Sequence, residues 1–209
     1  MRNVSILICT VFVTHWPTIF SGYAEAKQVD FGPGVVEEIY KAASGDELSI
    51  YRFEPQGYDP AIDRRPAIIF FFGGGWNGGS VRQFEQHARY FAHRGMVTFV
   101  ADYRVKSRQG TSPVACVQDG KSAVRWIRAN APRLGIDPNR IAAAGGSAGG
   151  HVAAATGICD GFEDPHDKNG HVSSKANALL LFNPVYDNGP NGYGHDRVQE
   201  QFPAISPAH

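Results

Sequence analysis

"AAAGGSAGGHVAAATG" runs from Ala142 to Gly157 and sets five glycines around one serine, Ser147. Glycine at this density cradles a phosphate, makes a turn or presents a nucleophile. The phosphate templates fail. A dinucleotide turn requires G-x-G-x-x-G, and Ser147 stands where the middle glycine belongs; a P-loop requires Lys then Ser or Thr after its last glycine, and here Gly149 is followed by Gly150 and His151. The nucleophile pattern fits: Gly145-Gly146-Ser147-Ala148-Gly149 reads G-x-S-x-G, set between a strand-like run, "RIAAAG" (Arg140–Gly145), and a helix-like one, "AGGHVAAATG". Such a turn strains the serine backbone and lifts its hydroxyl above the sheet, while small neighbours avoid collisions. The N–H of Ala148, at the helix start, then points to where an oxyanion develops.

Outward from this turn, strands and helices alternate. "VVEEIY" (Val35–Tyr40) and "LSIYRF" (Leu48–Phe53) read as two strands joined by a turn. "PAIIFFF" (Pro66–Phe72), "MVTFVADYR" (Met96–Arg104), "RIAAAG" and "NALLLFNPV" (Asn177–Val185) read as buried strands, because their apolar runs are continuous. Between them, Val81, Phe84, Ala88, Phe91 and Ala92 share one helical stripe closed by Gly95, and Cys116, Gly120, Ala123, Val124, Ile127 and Ala131 share another. The pattern predicts an α/β fold with a mostly parallel sheet, whose chemistry sits at the carboxyl ends of the strands. Both glycine clusters, Gly73–Gly75 and Gly145–Gly150, fall at that edge. An acyl-transfer site needs more than one oxyanion donor, and Gly74 and Gly75, directly after a central strand, are the candidates to join Ala148.

These residues resemble an α/β-hydrolase of the hormone-sensitive-lipase-like, carboxylesterase/acetyl-esterase branch. The pieces that carry the resemblance are "FFFGGGW", "ADYR" (Ala101–Arg104), "DPNRIAAAGGSAGGH" (Asp137–His151) and "LLLFNPVYD", covering the chain from about Pro66 onward. The resemblance implies a three-layer α/β-hydrolase sandwich and a serine esterase with a Ser–His–acid triad. It carries Ser147 over as nucleophile and Gly74, Gly75 and Ala148 as the oxyanion hole. No cofactor is implied. Phe72 stands where the family usually has His before the three glycines, so the glycine loop is expected to be braced differently.

In this fold the acid and the histidine follow the serine, in that order. Only one strand-like run lies beyond Ser147, so the chain reads as C-terminally truncated, short of two strand–helix units and of its triad acid and base. Within the chain, Asp187, His195 and His209 respect the order but sit in loop-like sequence. His151 is expected to pack against the sheet or line the pocket, and Asp102 and Asp119 to be structural. The loop Cys159–His171 holds four acids and two histidines at spacings that match no metal template, and reads as a solvated loop near the site.

Composition bounds the rest. The chain has 209 residues, 20 basic and 20 acidic, for a formal net charge of zero; 43% of its residues are hydrophobic. It is long enough for one domain with a real core, and without a basic stripe a nucleic-acid partner is not expected. Residues 1–26 combine a short positive start, an apolar run broken by His15 and Pro17, and "AEA" (Ala24–Ala26), and read as a secretory signal cleaved after Ala26. A membrane anchor is the alternative, against which the apolar run is short, so no stable membrane insertion is expected. The hydrolase domain then occupies residues 27–209, secreted or periplasmic. Export permits a Cys116–Cys159 disulfide, and two separate buried thiols are equally compatible. The expected function is hydrolysis of carboxylic esters with short acyl groups, such as acetyl on polysaccharides, the partner being a small-molecule or carbohydrate ester. The alternatives are a non-catalytic fragment or binding module, and a serine peptidase of the same fold.

Overall fold

The computed structural model describes residues 29–43 and 45–209. The expected signal, residues 1–26, lies outside them. Residues Gly32–His209 form one unit.

Six strands form one sheet, and they are the six runs expected from the sequence. β1 (Val35–Ala43) and β2 (Asp46–Phe53) make an antiparallel hairpin whose register shifts between Ile39 and Lys41. β2 pairs antiparallel with β4 (Val97–Ala101). From there the sheet is parallel: β3 (Arg65–Phe71) lies between β4 and β5 (Ile136–Gly146), and β6 (Ala178–Phe182) pairs with β5. The order is β1-β2-β4-β3-β5-β6. Residues Ala67–Phe71 and the whole of β4 are buried, because helices cover both faces and leave no polar side to the strands.

Consecutive phenylalanines show the two layers. Phe70 stacks on Phe84 at 5.4 Å and lies 5.9 Å from Phe91, against the 3₁₀ turn Val81–Phe84 and α1 (Glu85–His93). Phe71 points the other way, toward Gly120 of α3 (Pro113–Ala129). α2 (Lys106–Gln109) is a single turn between β4 and α3, and α4 (Ala148–Gly157) follows β5. At Gly120 a β-carbon would collide with Val152 of α4, so the close approach of α3 to α4 depends on that glycine. Each buried phenylalanine contributes roughly 1.5–3 kcal/mol through the apolar surface it hides.

The helical stripes were legible and Asp119 is structural, as read, but the burial of Lys121 and Arg125 was not foreseen. α3 buries Asp119, Lys121 and Arg125 along with its apolar face. Asp119, fully buried, accepts from Lys41 Nζ at 2.7 Å, from Arg104 Nε and Nη2 at 2.8 and 2.7 Å, and from the Arg104 backbone N–H. Asp164 also pairs with Lys41 at 2.7 Å. The quartet ties β1, the segment after β4, α3 and the loop after α4 together.

The loop Cys159–His171 is largely exposed, as read, but two of its acids are not solvated. Asp164 and Asp167 have side chains only 9% and 6% exposed, and Asp164, Glu163 and Asp167 meet Lys41, Lys121 and Arg125 respectively. Its acids are there because α3 and β1 bury cations that need partners. Cys116 and Cys159 are free thiols; Cys116 Sγ donates to the Arg104 carbonyl and Cys159 Sγ to that of Ile205. Burial pushes the Cys116 thiol far above its ordinary pKa, so it is inert.

Candidate active site

The carboxyl ends of β3 and β5 adjoin, with Phe71 opposite Gly145. Ser147 is the residue between β5 and α4, with φ 54° and ψ −122°, a conformation that L-residues rarely adopt and that costs about 1–3 kcal/mol. Hydrogen bonds hold it there. Its N–H donates to the Phe182 carbonyl at the end of β6, and its carbonyl accepts from the N–H groups of Val185 (3.0 Å) and His151 (3.1 Å). A serine at a helix N-terminus ordinarily spends its hydroxyl as a cap. This one makes no capping bond, so its Oγ is uncommitted.

The motif glycines are required by contact. A β-carbon on Gly145 would strike the Gly149 carbonyl, and one on Gly149 would strike those of Phe71 and Phe72. At Gly73 a β-carbon would lie 2.8 Å from the Gly146 carbonyl and 3.3 Å from Ser147 Cβ, so the second glycine cluster rests directly on the serine turn.

That second cluster is a tight turn. The Gly74 carbonyl accepts from the Asn77 N–H at 3.0 Å, and Gly75 and Trp76 between them both have positive φ, 61° and 57°, the signature of a type I′ turn. Gly75 adopts this freely, whereas Trp76 pays roughly 1–2 kcal/mol for it. The turn is clamped from outside. The Gly73 N–H donates to Gln83 Oε1, the Trp76 and Asn77 carbonyls accept from the Lys106 and Ser107 N–H groups at 2.9 Å each, and the Gly75 carbonyl accepts from Arg197 Nη1 at 2.6 Å. The N–H groups of Gly74 and Gly75 donate to no acceptor among the described residues, and Ala148, first residue of α4, has no intrahelical acceptor for its N–H.

Phe72, in the place of the family's histidine, lies flat on Tyr103, ring centroids 4.1 Å apart and 14° between planes, and the Tyr103 hydroxyl donates to the Phe72 carbonyl. Burial raises the Tyr103 pKa well above its ordinary value, so the hydroxyl keeps the proton it donates. Stacking and this hydrogen bond together hold the residue that precedes the glycines.

The histidines are engaged elsewhere. His151 is buried in α4, its ring edge-on to Trp76 at 5.2 Å and its Nε2 2.9 Å from the Ile205 carbonyl. A carbonyl only accepts, so Nε2 carries the proton. Burial lowers the His151 pKa to about 4, with the Ile205 carbonyl and the Asn188 amide opposing. It packs, as the sequence suggested. His195 Nδ1 lies 2.9 Å from the Asn188 carbonyl. His209 Nε2 lies 3.0 Å from Asp187 Oδ1, forming a carboxylate–imidazole pair about half exposed. The Gly189 N–H and then His209 hold the Asp187 carboxyl below its usual range. So the structure brings Asp187 to His209 and gives neither a hydrogen bond to Ser147. Among the described residues no group of three or more His, Cys, Asp and Glu is arranged to hold a metal, and no helix is long and apolar enough to cross a membrane.

Gln83 and Arg197 were missed from the sequence. Gln83 lies in the 3₁₀ turn leading into α1, and Arg197 in α5 (His195–Val198), 122 residues beyond the glycine it holds. No motif spacing marks either.

Residues 58–188, more than half of the chain, match the BD-FAE family model. The chain belongs to the BD-FAE family. It has the α/β-hydrolase fold of the hormone-sensitive-lipase-like branch. This BD-FAE member is similar to apo esterase 2 of Thermogutta terrifontis, with 46% identity and a TM-score of 0.78 over 84% of this chain and 66% of that one. It is 37% identical over 161 residues to an AB hydrolase superfamily protein of Schizosaccharomyces pombe, covering 74% of this chain and 42% of the relative. It is 38% identical over 93 residues to the carboxylesterase NlhH of Mycobacterium tuberculosis, covering 44% of this chain and 28% of the relative. The BD-FAE chain thus spans less than half the length of these curated relatives and 66% of the solved structure.

Proposed function

We propose that this protein hydrolyses carboxylic esters, with Ser147 attacking the acyl carbon. The observation that carries the reading is the Ser147 hydroxyl, uncommitted among the described residues, on a strained turn near three backbone N–H groups without acceptors among those residues, those of Gly74, Gly75 and Ala148. Attack puts negative charge on the former carbonyl oxygen, and preorganised N–H donors stabilise that charge without reorganising. Departure of the alcohol leaves an acyl-serine, which water cleaves to the acid. The proton of Ser147 needs a base and that base an orienting acid; by sequence order His195 and His209 are the in-chain candidates for the base and Asp187 for the acid.

The names of similar proteins support the reaction class. Thermogutta terrifontis esterase 2 is described as butyrate bound, as propionate bound and as phosphoramylated by tabun. Short acyl groups fit those ligands. A polysaccharide alcohol is supported by a weaker likeness, 26% identity over 217 residues to endo-1,4-beta-xylanase B of Butyrivibrio fibrisolvens.

Fluorophosphonate labelling and p-nitrophenyl acetate turnover, compared with the Ser147→Gly variant, test the reading. The unaltered protein labels on Ser147 and turns over; the variant does neither. Glycine accepts φ 54° without strain, so the variant is also more stable to urea than Ser147→Ala, by about 1 kcal/mol. Absence of label and turnover in the unaltered chain overturns the proposal and favours a non-catalytic binding role.

A further inference from the structure

We propose that Arg197 is a positioning residue for the oxyanion donors, acting through the peptide that follows Gly75. The inference rests on the reading of Gly74 and Gly75 as those donors. In the turn Gly74–Asn77 every carbonyl is taken: that of Gly74 by the turn itself, those of Trp76 and Asn77 by the N–H groups of Lys106 and Ser107, and that of Gly75 by Arg197 Nη1. Only the last of these comes from a side chain, and only it comes from the segment beyond β6.

The clamped carbonyl belongs to the central peptide of the type I′ turn. That peptide has an alternative orientation. Rotating it by half a turn converts type I′ to type II′, which keeps positive φ at the first central residue and gives the second a negative φ. Here the first is Gly75, indifferent to the sign, and the second is Trp76, which prefers the negative one. Local backbone energetics therefore favour the flip. What opposes it is the burial of Trp76 against His151 and Tyr193, the Lys106 N–H on the Trp76 carbonyl, and Arg197. Of these, Arg197 alone holds the oxygen that has to move. A flip reverses the dipole of the peptide adjoining the Gly75 N–H and degrades the field the oxyanion meets.

Arg197 is itself held for this task. Its guanidinium lies over the Tyr193 ring at 5.7 Å, and its backbone N–H bonds the Gly194 carbonyl at 3.0 Å. The side chain is exposed, so its removal leaves no buried charge behind.

The test uses the full chain with p-nitrophenyl acetate. Arg197→Met, which keeps the aliphatic stem, lowers kcat about tenfold with KM within about twofold, a fraction of the loss typical when an oxyanion donor is deleted. Arg197→Lys, which restores one donor, recovers kcat to within about threefold. Unchanged kcat in Arg197→Met overturns the proposal, as does a rise in KM alone, which marks a substrate contact instead. If the unaltered chain neither turns over nor labels at Ser147, it is the ester-hydrolase reading that has failed, and the clamp is then read by crystallography of Arg197→Met. A rotated Gly75 carbonyl supports it, and an unmoved one overturns it.

Discussion

At the residue scale, the site depends on groups kept out of their usual roles. Ser147 occupies an N-terminal helix position without capping, which frees its oxygen. His151, one turn further on, is neutral and buried where a base is easily imagined. Its consequence is a pH dependence. Native His151 titrates at about 4 and an unfolded histidine at 6.5, so below pH 6.5 the unfolded chain binds a proton that the native one does not. Stability is full above 6.5 and is lost as pH falls toward 4; at pH 5 the loss from this group is about 2 kcal/mol. His151→Gln retains an N–H donor for the Ile205 carbonyl and cannot titrate. Urea denaturation at pH 7.5 and pH 5 is expected to show the unaltered protein losing about 2 kcal/mol more than this variant, and equal losses would contradict the assignment.

At the element scale, α3 buries charged residues as well as an apolar face. Asp119 compensates Lys41 and Arg104 from two other elements. Removing one member of a buried ionic cluster strands the others, which costs about 3–5 kcal/mol. Asp119→Asn is accordingly expected to lower unfolding free energy by that amount, and adding Lys41→Met to recover part of it. Additive losses in the double variant would show that the two side chains are not coupled. Acids of the loop after α4 complete these contacts, which makes the loop a structural strap.

At the scale of the whole molecule, the sheet and the strand–turn–helix around Ser147 were legible because each rests on local pattern. Continuous apolar runs such as Ala67–Phe71 signal strands covered on both faces, and G-x-S-x-G between a strand and a helix is specific in context. What stayed hidden depends on long-range pairing. Nothing near Asp164 in the sequence tells that Lys41 awaits it, and nothing near Arg197 points to Gly75. The Phe72–Tyr103 stack was equally hidden, since Phe72 reads as one more strand phenylalanine until Tyr103 is found against its ring.

β6 is the outermost strand on its side among those described, and its residues are only half-buried or exposed. Yet Phe182, at its end, and Val185, in the segment that follows, supply two of the hydrogen bonds that keep Ser147 strained. The Ser147 turn therefore leans on β6 and the segment after it as well as on the centre of the sheet. Native-state hydrogen exchange is expected to find the Ser147 amide opening with the β6 amides, at lower free energy than those of β3. Mild denaturant should then silence the site while the central strands still stand, and coincident loss of labelling and of far-UV signal would refute this.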